Sequence, residues 1–314
     1  MPKDATAAAT EPTENIASQG GFIGALLIVA GRFRPTGRLA MTALRMLRAR
    51  GMIPKFIVGR INSRRIALDL DEDVDAKVFI YGAYDERGLR LIKRVMRAVD
   101  CRTAIDVGAN IGNHTAYFCD WAQRVYAFEL NPPVFERLQR FVASNGLTNV
   151  TAFSCGLSDR SDELPYYVFP GQAHLTTFEP GPGAVLAGRV PVRPGDDVVA
   201  EAGIENIDVV KIDVEEHEYE VLKGLQATLA RDKPVLFMEC KENSVSKFGG
   251  LQGLYAFLEG YRIFGTGQGP MSRLFKTGLR LEPFVPGKYY VHVVCVPEHR
   301  IAALSKLGLR VHRD

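Results

Sequence analysis

The stretch Ala104–Ala116, AIDVGANIGNHTA, decides how this chain is read. A strand-like run, Ala104 to Val107, stops at Gly108, a second glycine follows at Gly112, and residues of helical character come next. A strand, a glycine-bearing turn and a helix in that order open a nucleotide-binding α/β unit. Outward from it, the spacing predicts regular alternation. Thr103 to Val107 reads as a strand, Gly112 to Trp121 as a helix and RVYAFEL (Arg124–Leu130) as a strand. PPVFERLQRFVASNG follows as a helix with prolines at its start and a glycine at its end. Val150 to Cys155 is a third strand, and Pro165 to Pro194 breaks the rhythm as loop or β-hairpin. DVVKIDV, EYEVLKGLQATLARD, PVLFMEC and LQGLYAFLEG restore it as strand, helix, strand and helix, and KYYVHVVCVP closes as a late strand. Upstream, RIALDLD and KVFIYG read as short strands and ERGLRLIKRVMRAVD as a helix.

This order predicts an α/β fold: a doubly wound, mainly parallel sheet with helices on both faces. Residues 1–20 read as a disordered terminus, 21–75 as a basic helical extension and bridge, and 76–314 as the catalytic domain. Ligands on such sheets bind beyond the carboxyl ends of the strands, where strand order reverses. That rule selects Asp106 to Gly112, Glu129 to Asn131, Ser154 to Gly156, Asp213 to His217 and Glu239 to Lys241. Asn131, Cys155 and Gly156 thereby join the candidate cofactor-binding residues.

The 314 residues carry a net charge of +3, and 46% are hydrophobic. The five cysteines are scattered without a C-x-x-C pair, which argues against a disulfide framework or a structural zinc site. They predict a reducing, cytoplasmic compartment. The longest apolar run, Phe22 to Ala30, is too short to span a bilayer and lacks the flanks of a signal peptide. From Gly21 to Leu68 there is no acidic residue while arginines recur, and Asp69 to Asp75 (DLDEDVD) then reverses the sign. One reading packs the basic extension against that acidic stretch. The other sets Leu39, Ala40, Ala43, Leu44 and Leu47 on one helix face, with Arg38, Arg45 and Arg48 opposite. Such a helix attaches to an anionic membrane surface, making the protein peripheral to its inner face. Nothing in the pattern calls for a nucleic-acid partner.

The turn G-x-N-x-G carries Asn110 where a dinucleotide fingerprint has glycine, and no lysine follows Gly112 as in a P-loop. Asp106 precedes the turn, where a carboxylate repels a pyrophosphate and attracts an ammonium group. A cofactor with an amino-acid end and no phosphates fits, and S-adenosylmethionine is that cofactor. Glu129 ends the second strand at the place of a carboxylate that binds a ribose diol.

DVGANIGNHT, VYAFELNP, GLSD and VVKIDVEEHEYEVLKG resemble the FkbM-type methyltransferases over roughly Tyr81 to Cys240. The resemblance implies a Rossmann-like class I methyltransferase that transfers methyl groups from S-adenosylmethionine to hydroxyls of sugars or natural products. It implies that Asp106, Gly108, Asn110, Gly112, Thr115 and Glu129 hold the cofactor, with Asp213, Glu215 and Glu239 at the floor of the site. There is one departure: the family pattern DVEGAE is DVEEHE here, with Glu216 and His217 in place of small residues.

Methyl transfer to a hydroxyl needs a base for its proton. His217 and Asp213, at the end of the fourth strand, and His174, in GQAHLTTF, are the candidates, with Glu215 beside them. Asp213, Glu215, Glu216 and Glu239 offer oxygen ligands for Mg²⁺, but adjacent strand residues point to opposite faces, and no metal is assigned. The acceptor class is a small-molecule or glycan hydroxyl. The alternatives are an NAD-linked oxidoreductase, disfavoured by Asn110 and Asp106, and a non-catalytic cofactor-binding module attached to a membrane or polyanion.

Overall fold

The computed structural model of the protein describes residues 21–32, 34–170, 172–239, 242–267, 280–285, 290 and 292–305. The terminus 1–20, read above as disordered, lies outside the described residues, as do Cys240 and Lys241. The chain divides into two compact units, the first reaching to Tyr84 and the second starting at Asp85.

In the first unit, helices α1 (Gly21–Arg32), α2 (Arg34–Ala49) and α3 (Asp73–Tyr81) pack on one another, and α3 also meets the hairpin β1 (Phe56–Ile61) and β2 (Arg64–Asp69). The apolar face expected on α2 is largely turned inward. Ala40 and Leu44 are buried at 3% and 0% exposure, while Leu39 stands outside at 68%. Ala40 and Leu44 of that face therefore pack in the core of this unit. The basic residues meet the acidic stretch, as the other reading has it. Arg45 pairs with Asp73 at 3.2 Å, and Arg48 reaches both oxygens of Asp71 at 2.9–3.0 Å. KVFIYG, expected as a strand, is the second half of α3. Asp73 and Asp75 favour the helix N-terminus, and Gly82, at φ 84°, returns its N–H to the Val78 carbonyl and stops it.

The second unit runs α4 (Glu86–Ala98), β3 (Thr103–Val107), α5 (Thr115–Trp121), β4 (Arg124–Phe128), α6 (Pro132–Ser144) and β5 (Val150–Phe153). A four-stranded sheet of order β6-β9-β7-β8 follows from β6 (Gly156–Ser158), β7 (Asp162–Phe169), β8 (Gln172–Thr177) and β9 (Val185–Pro194). Next come α7 (Gly195–Glu201), β10 (Ile207–Ile212), α8 (Glu218–Gly224), α9 (Gln226–Asp232), β11 (Val235–Met238), α10 (Glu242–Lys247) and α11 (Leu251–Phe257). The unit closes with β12 (Tyr261–Gly267), β13 (Arg280–Pro283), β14 (Val293–Pro297) and α12 (Glu298–Ser305).

The main sheet has eight strands in the order β13-β12-β14-β11-β10-β3-β4-β5. From β5 to β11 all pairings are parallel, and β14, β12 and β13 add on antiparallel. β3 and β10 are buried at every residue, as a sheet covered on both faces requires. Alternate residues feed two cores: Ile105, Val210 and Leu236 on one face, Ala104, Val209 and Phe237 on the other. Strand order reverses between β3 and β10, which fixes the ligand edge at their carboxyl ends.

In this unit two further expected elements differ. The helix after the turn starts at Thr115 rather than Gly112, because Gly112 sits at φ 93°, outside right-handed helix. EYEVLKGLQATLARD forms two helices, α8 and α9, which part just after Gly224. There the backbone lies against the Ser158 carbonyl so closely that a Cβ would collide with it.

Candidate active site

The turn after β3 is built from left-handed residues: Gly108 at φ 74°, Asn110 at φ 52° and Gly112 at φ 93°. Asparagine is among the few side chains that tolerate this region, which explains why it can stand between the glycines. Gly108 is required for a second reason. Its missing Cβ leaves room for the carbonyl of Asp213, where the ends of β3 and β10 touch.

The amides of this turn all have partners within the protein. Gly108 and Ala109 donate to the Phe128 carbonyl at 3.0 and 2.9 Å, and Asn110 donates to Glu129 Oε2 at 2.9 Å. Ile111 donates to the Asn110 side chain at 2.6 Å, and Gly112 to the Ala109 carbonyl at 3.0 Å. A phosphate-binding loop aims such groups at its ligand. This one aims them inward.

Glu129, just past β4, accepts from Asn110 at Oε2 and from Asn131 at Oε1, the latter at 2.8 Å. Each oxygen keeps acceptor capacity beyond that one bond. Burial pushes its carboxyl up to about 7, against the two backbone N–H bonds that lower it. Asn131 also donates from its side chain to Thr176 Oγ1 on β8 at 3.2 Å. Cys155 and Gly156 follow β5 at the same edge. The Cys155 thiol packs into the core with Phe128 and Leu157, and burial raises its pKa.

Beneath the turn lies a buried charge cluster. The β3–β10 register sets Asp106 directly beside Lys211 on one face of the sheet. The Lys211 ammonium sits 3.1 Å from Asp106 Oδ1, 3.5 Å from Asp213 Oδ2 and 2.9 Å from the Gly108 carbonyl. Thr115 donates to Asp106 Oδ2 at 2.7 Å. Asp106 and Thr115, both expected to hold the cofactor, are 0% exposed and sit behind the turn, bonded to each other, with Lys211 paired to Asp106. Lys211 was not among the expected residues. Its signal was a lysine inside an otherwise apolar strand, DVVKIDV.

On the far side, Asp213, Glu215 and Glu239 bring carboxylate oxygens within 4.8 Å of one another, a spacing a divalent cation accepts. The Lys211 ammonium holds Asp213 below the usual carboxylate range against the opposing effect of burial. Glu215 and Glu216 are both left-handed, at φ 47° and 72°. Glu216 stands where the family pattern has glycine, and its φ is one that glycine adopts without strain.

His217 does not join this group. Its Nε2 lies 3.1 Å from Ser158 Oγ, its Nδ1 3.5 Å from Glu220, and its ring meets Phe178 edge-on. Burial first of all lowers its pKa to about 4, so it is a neutral, packed histidine. These are the partners of the ring that the sequence offered, with Asp213 and His174, as a candidate base. His174 is on β8, but its side chain lies outside the described residues.

A sheet of this order, with a glycine turn after its first parallel strand and a carboxylate after its second, defines a Rossmann-like domain of the class I methyltransferase type. Residues 106–263, half of the chain, match the methyltransferase FkbM domain, and the chain belongs to that family. The hexuronic acid methyltransferase AglP of Haloferax volcanii is 36% identical over 124 residues, which cover 40% of this chain and 50% of that protein. The methyltransferase sdnD of Sordaria araneosa is 31% identical over 153 residues, covering 38% of this chain and 59% of that protein. The chain thus spans about half the length of the curated relatives it matches. Among solved structures, a methyltransferase FkbM of Methylobacillus flagellatus aligns with a TM-score of 0.41 at 18% identity, covering 62% of this chain and 44% of that one.

Proposed function

We propose that the protein is an S-adenosylmethionine-dependent O-methyltransferase acting on a hydroxyl of a sugar, glycan or natural product. One observation carries this reading. The amides from Gly108 to Gly112 are occupied within the protein and have nothing to offer a pyrophosphate, while Glu129 retains acceptor capacity for a ribose diol. This favours a phosphate-free adenosyl cofactor and weighs against an NAD-linked oxidoreductase.

The bound cofactor supplies a methyl group already activated on a positive sulfur, so the protein has chiefly to position and desolvate the reactants. In this reading Gly108, Asn110 and Gly112 shape the turn, and Glu129 and Asn131 hold the ribose side. Asp106, Thr115 and Lys211 brace them from behind. Asp213, Glu215 and Glu239 line the acceptor side. Lys211 supplies positive charge beside Asp213, and this reading assigns no role to a metal. The hexuronic acid methyltransferase among the relatives supports a sugar-acid acceptor.

The test uses the full chain, methyl-labelled S-adenosylmethionine and the glycan and metabolite extract of cells lacking this protein. A labelled methyl ether is the expected product. No labelled product, or reduction of NAD⁺ by the same extract, would sink the assignment. Attachment to an anionic membrane surface rests on α1, whose Ile23, Leu26 and Val29 are exposed at a spacing of three. Sedimentation with phosphatidylserine vesicles that survives Leu26→Glu with Val29→Glu would disprove it.

A further inference from the structure

The main sheet sets four strand ends in a row. Ile212 pairs with Val107 and with Met238, which brings Gly108, Asp213 and Glu239 side by side. Met238 pairs antiparallel with Val293, so the next step of the ladder places His292 opposite Glu239. His292 is therefore the neighbour of the carboxylate group, one strand beyond it and away from the turn after β3.

It is held there by a built partner. Asp85, which caps α4 in a left-handed conformation (φ 50°), accepts from the Gly88 N–H at Oδ1, 3.1 Å away. Its Oδ2 lies 2.7 Å from His292 Nε2. Gly88 makes this possible, because a Cβ there would collide with Asp85 Oδ2 and come within 3.1 Å of His292 Nε2. The backbone of His292 is pinned as well. Its N–H donates to Thr266 Oγ1 at 3.1 Å, and its carbonyl accepts from the Thr266 N–H and Oγ1 at 3.0 Å each. The two side chains are 18% and 19% exposed, partly open to a substrate.

We propose that His292, oriented by Asp85, is the base that removes the acceptor's hydroxyl proton. This rests on the O-methyltransferase reading above. Nε2–H is committed to Asp85, which leaves the lone pair on Nδ1 to take the proton. As the new O–CH₃ bond forms, the S–CH₃ bond breaks and its electron pair stays on sulfur. The positive charge lost there reappears on the imidazolium, beside the Asp85 carboxylate. His292 touches the acceptor; Asp85 is a positioning residue.

The surroundings suit the role. Asp85, Asp213 and Glu239 all raise the His292 pKa against the lowering effect of burial. Among the other charged groups here, Lys211 is paired with Asp106 and Asp213, and burial lowers the His114 pKa to about 4. Asp213, held ionised by Lys211, is the weaker base, and both ring nitrogens of His217 face other partners.

Two readouts test this. In the ligand-free full chain, histidine ring NMR should show His292 titrating above the ordinary histidine value, and Asp85→Asn should lower that midpoint. In the extract assay, His292→Gln should lose ~10²–10⁴-fold in turnover while keeping its affinity for S-adenosylhomocysteine. Asp85→Asn should lower turnover and move the acid limb of the pH profile to lower pH. Should His292→Gln lose cofactor binding, that limb decides, and an unmoved limb overturns the proposal. Wild-type-like turnover in His292→Gln overturns it too, as does a methyl ester product, because a carboxylate has no proton to remove. No transfer by the wild-type chain instead overturns the methyltransferase reading itself.

Discussion

Replacing Lys211 by Met should cost about 3–5 kcal/mol of stability, the usual loss when one partner of a buried ion pair is removed. The structure sets the scale. At 3.1 Å from Asp106 and 3.5 Å from Asp213, the ammonium gains a gross attraction of about 5 kcal/mol to each carboxylate at an effective dielectric constant of about 20. Its own desolvation offsets much of that, but the variant keeps the buried carboxylates and loses the offsetting charge. Asp213 is held below its ordinary range in the wild type, so its contribution is present above the unfolded-state value and is lost as pH falls through the folded one. The gap between wild type and Lys211→Met should therefore be widest at neutral pH and close on acidification. Adding Asp106→Asn should recover part of the loss. Urea unfolding at several pH values measures all three effects. A variant within about 1 kcal/mol of wild type at neutral pH would refute the claim that Lys211 braces the two strand ends.

The Glu129 carboxyl, raised to about 7 by burial, accepts from both hydroxyls of a ribose diol with both oxygens only when ionised. S-adenosylhomocysteine should thus bind about tenfold more weakly at pH 6 than at pH 8, and Glu129→Gln should flatten that dependence; equal wild-type affinity at both pH values contradicts it. His217, lowered to about 4, refuses a proton that the unfolded chain takes up below its ordinary value of 6.5, so stability is lost as pH falls through that window. Between pH 7 and pH 5 the wild type should lose about 2 kcal/mol more than His217→Gln by urea unfolding, and parallel losses would show His217 to be charged in the fold. Chelation with EDTA should leave turnover unchanged; a loss restored by Mg²⁺ would make Asp213, Glu215 and Glu239 a metal site.

Much of this was legible in the sequence because a doubly wound sheet writes its strands as apolar runs and its ligand edge as the residues that end them. The turn from Gly108 to Gly112, the Glu129 carboxylate and the carboxylates after β10 and β11 could be read one segment at a time. What stayed hidden depends on register. Asp85 and His292 are 207 residues apart and meet only through the antiparallel placement of β14 beside β11. Lys211 faces Asp106 only once β3 and β10 are aligned. His217 follows Asp213 closely along the chain, but past the left-handed Glu215 and Glu216 its ring is held by Ser158 and Phe178, which the sequence does not show. KVFIYG, rich in strand-forming residues, became helix because burial of Val78 and Ile80 and the Gly82 cap outweighed propensity.

The central claim is that the turn after β3, with Glu129, cradles a phosphate-free adenosyl cofactor. Calorimetric titration of the full chain with S-adenosylhomocysteine and, separately, NAD⁺ tests it most directly. The account predicts one equivalent of S-adenosylhomocysteine bound, no heat from NAD⁺, and an affinity weakened by about 1–3 kcal/mol in Glu129→Ala. Tighter binding of NAD⁺, or a Glu129→Ala variant that binds S-adenosylhomocysteine as well as the wild type, would contradict it.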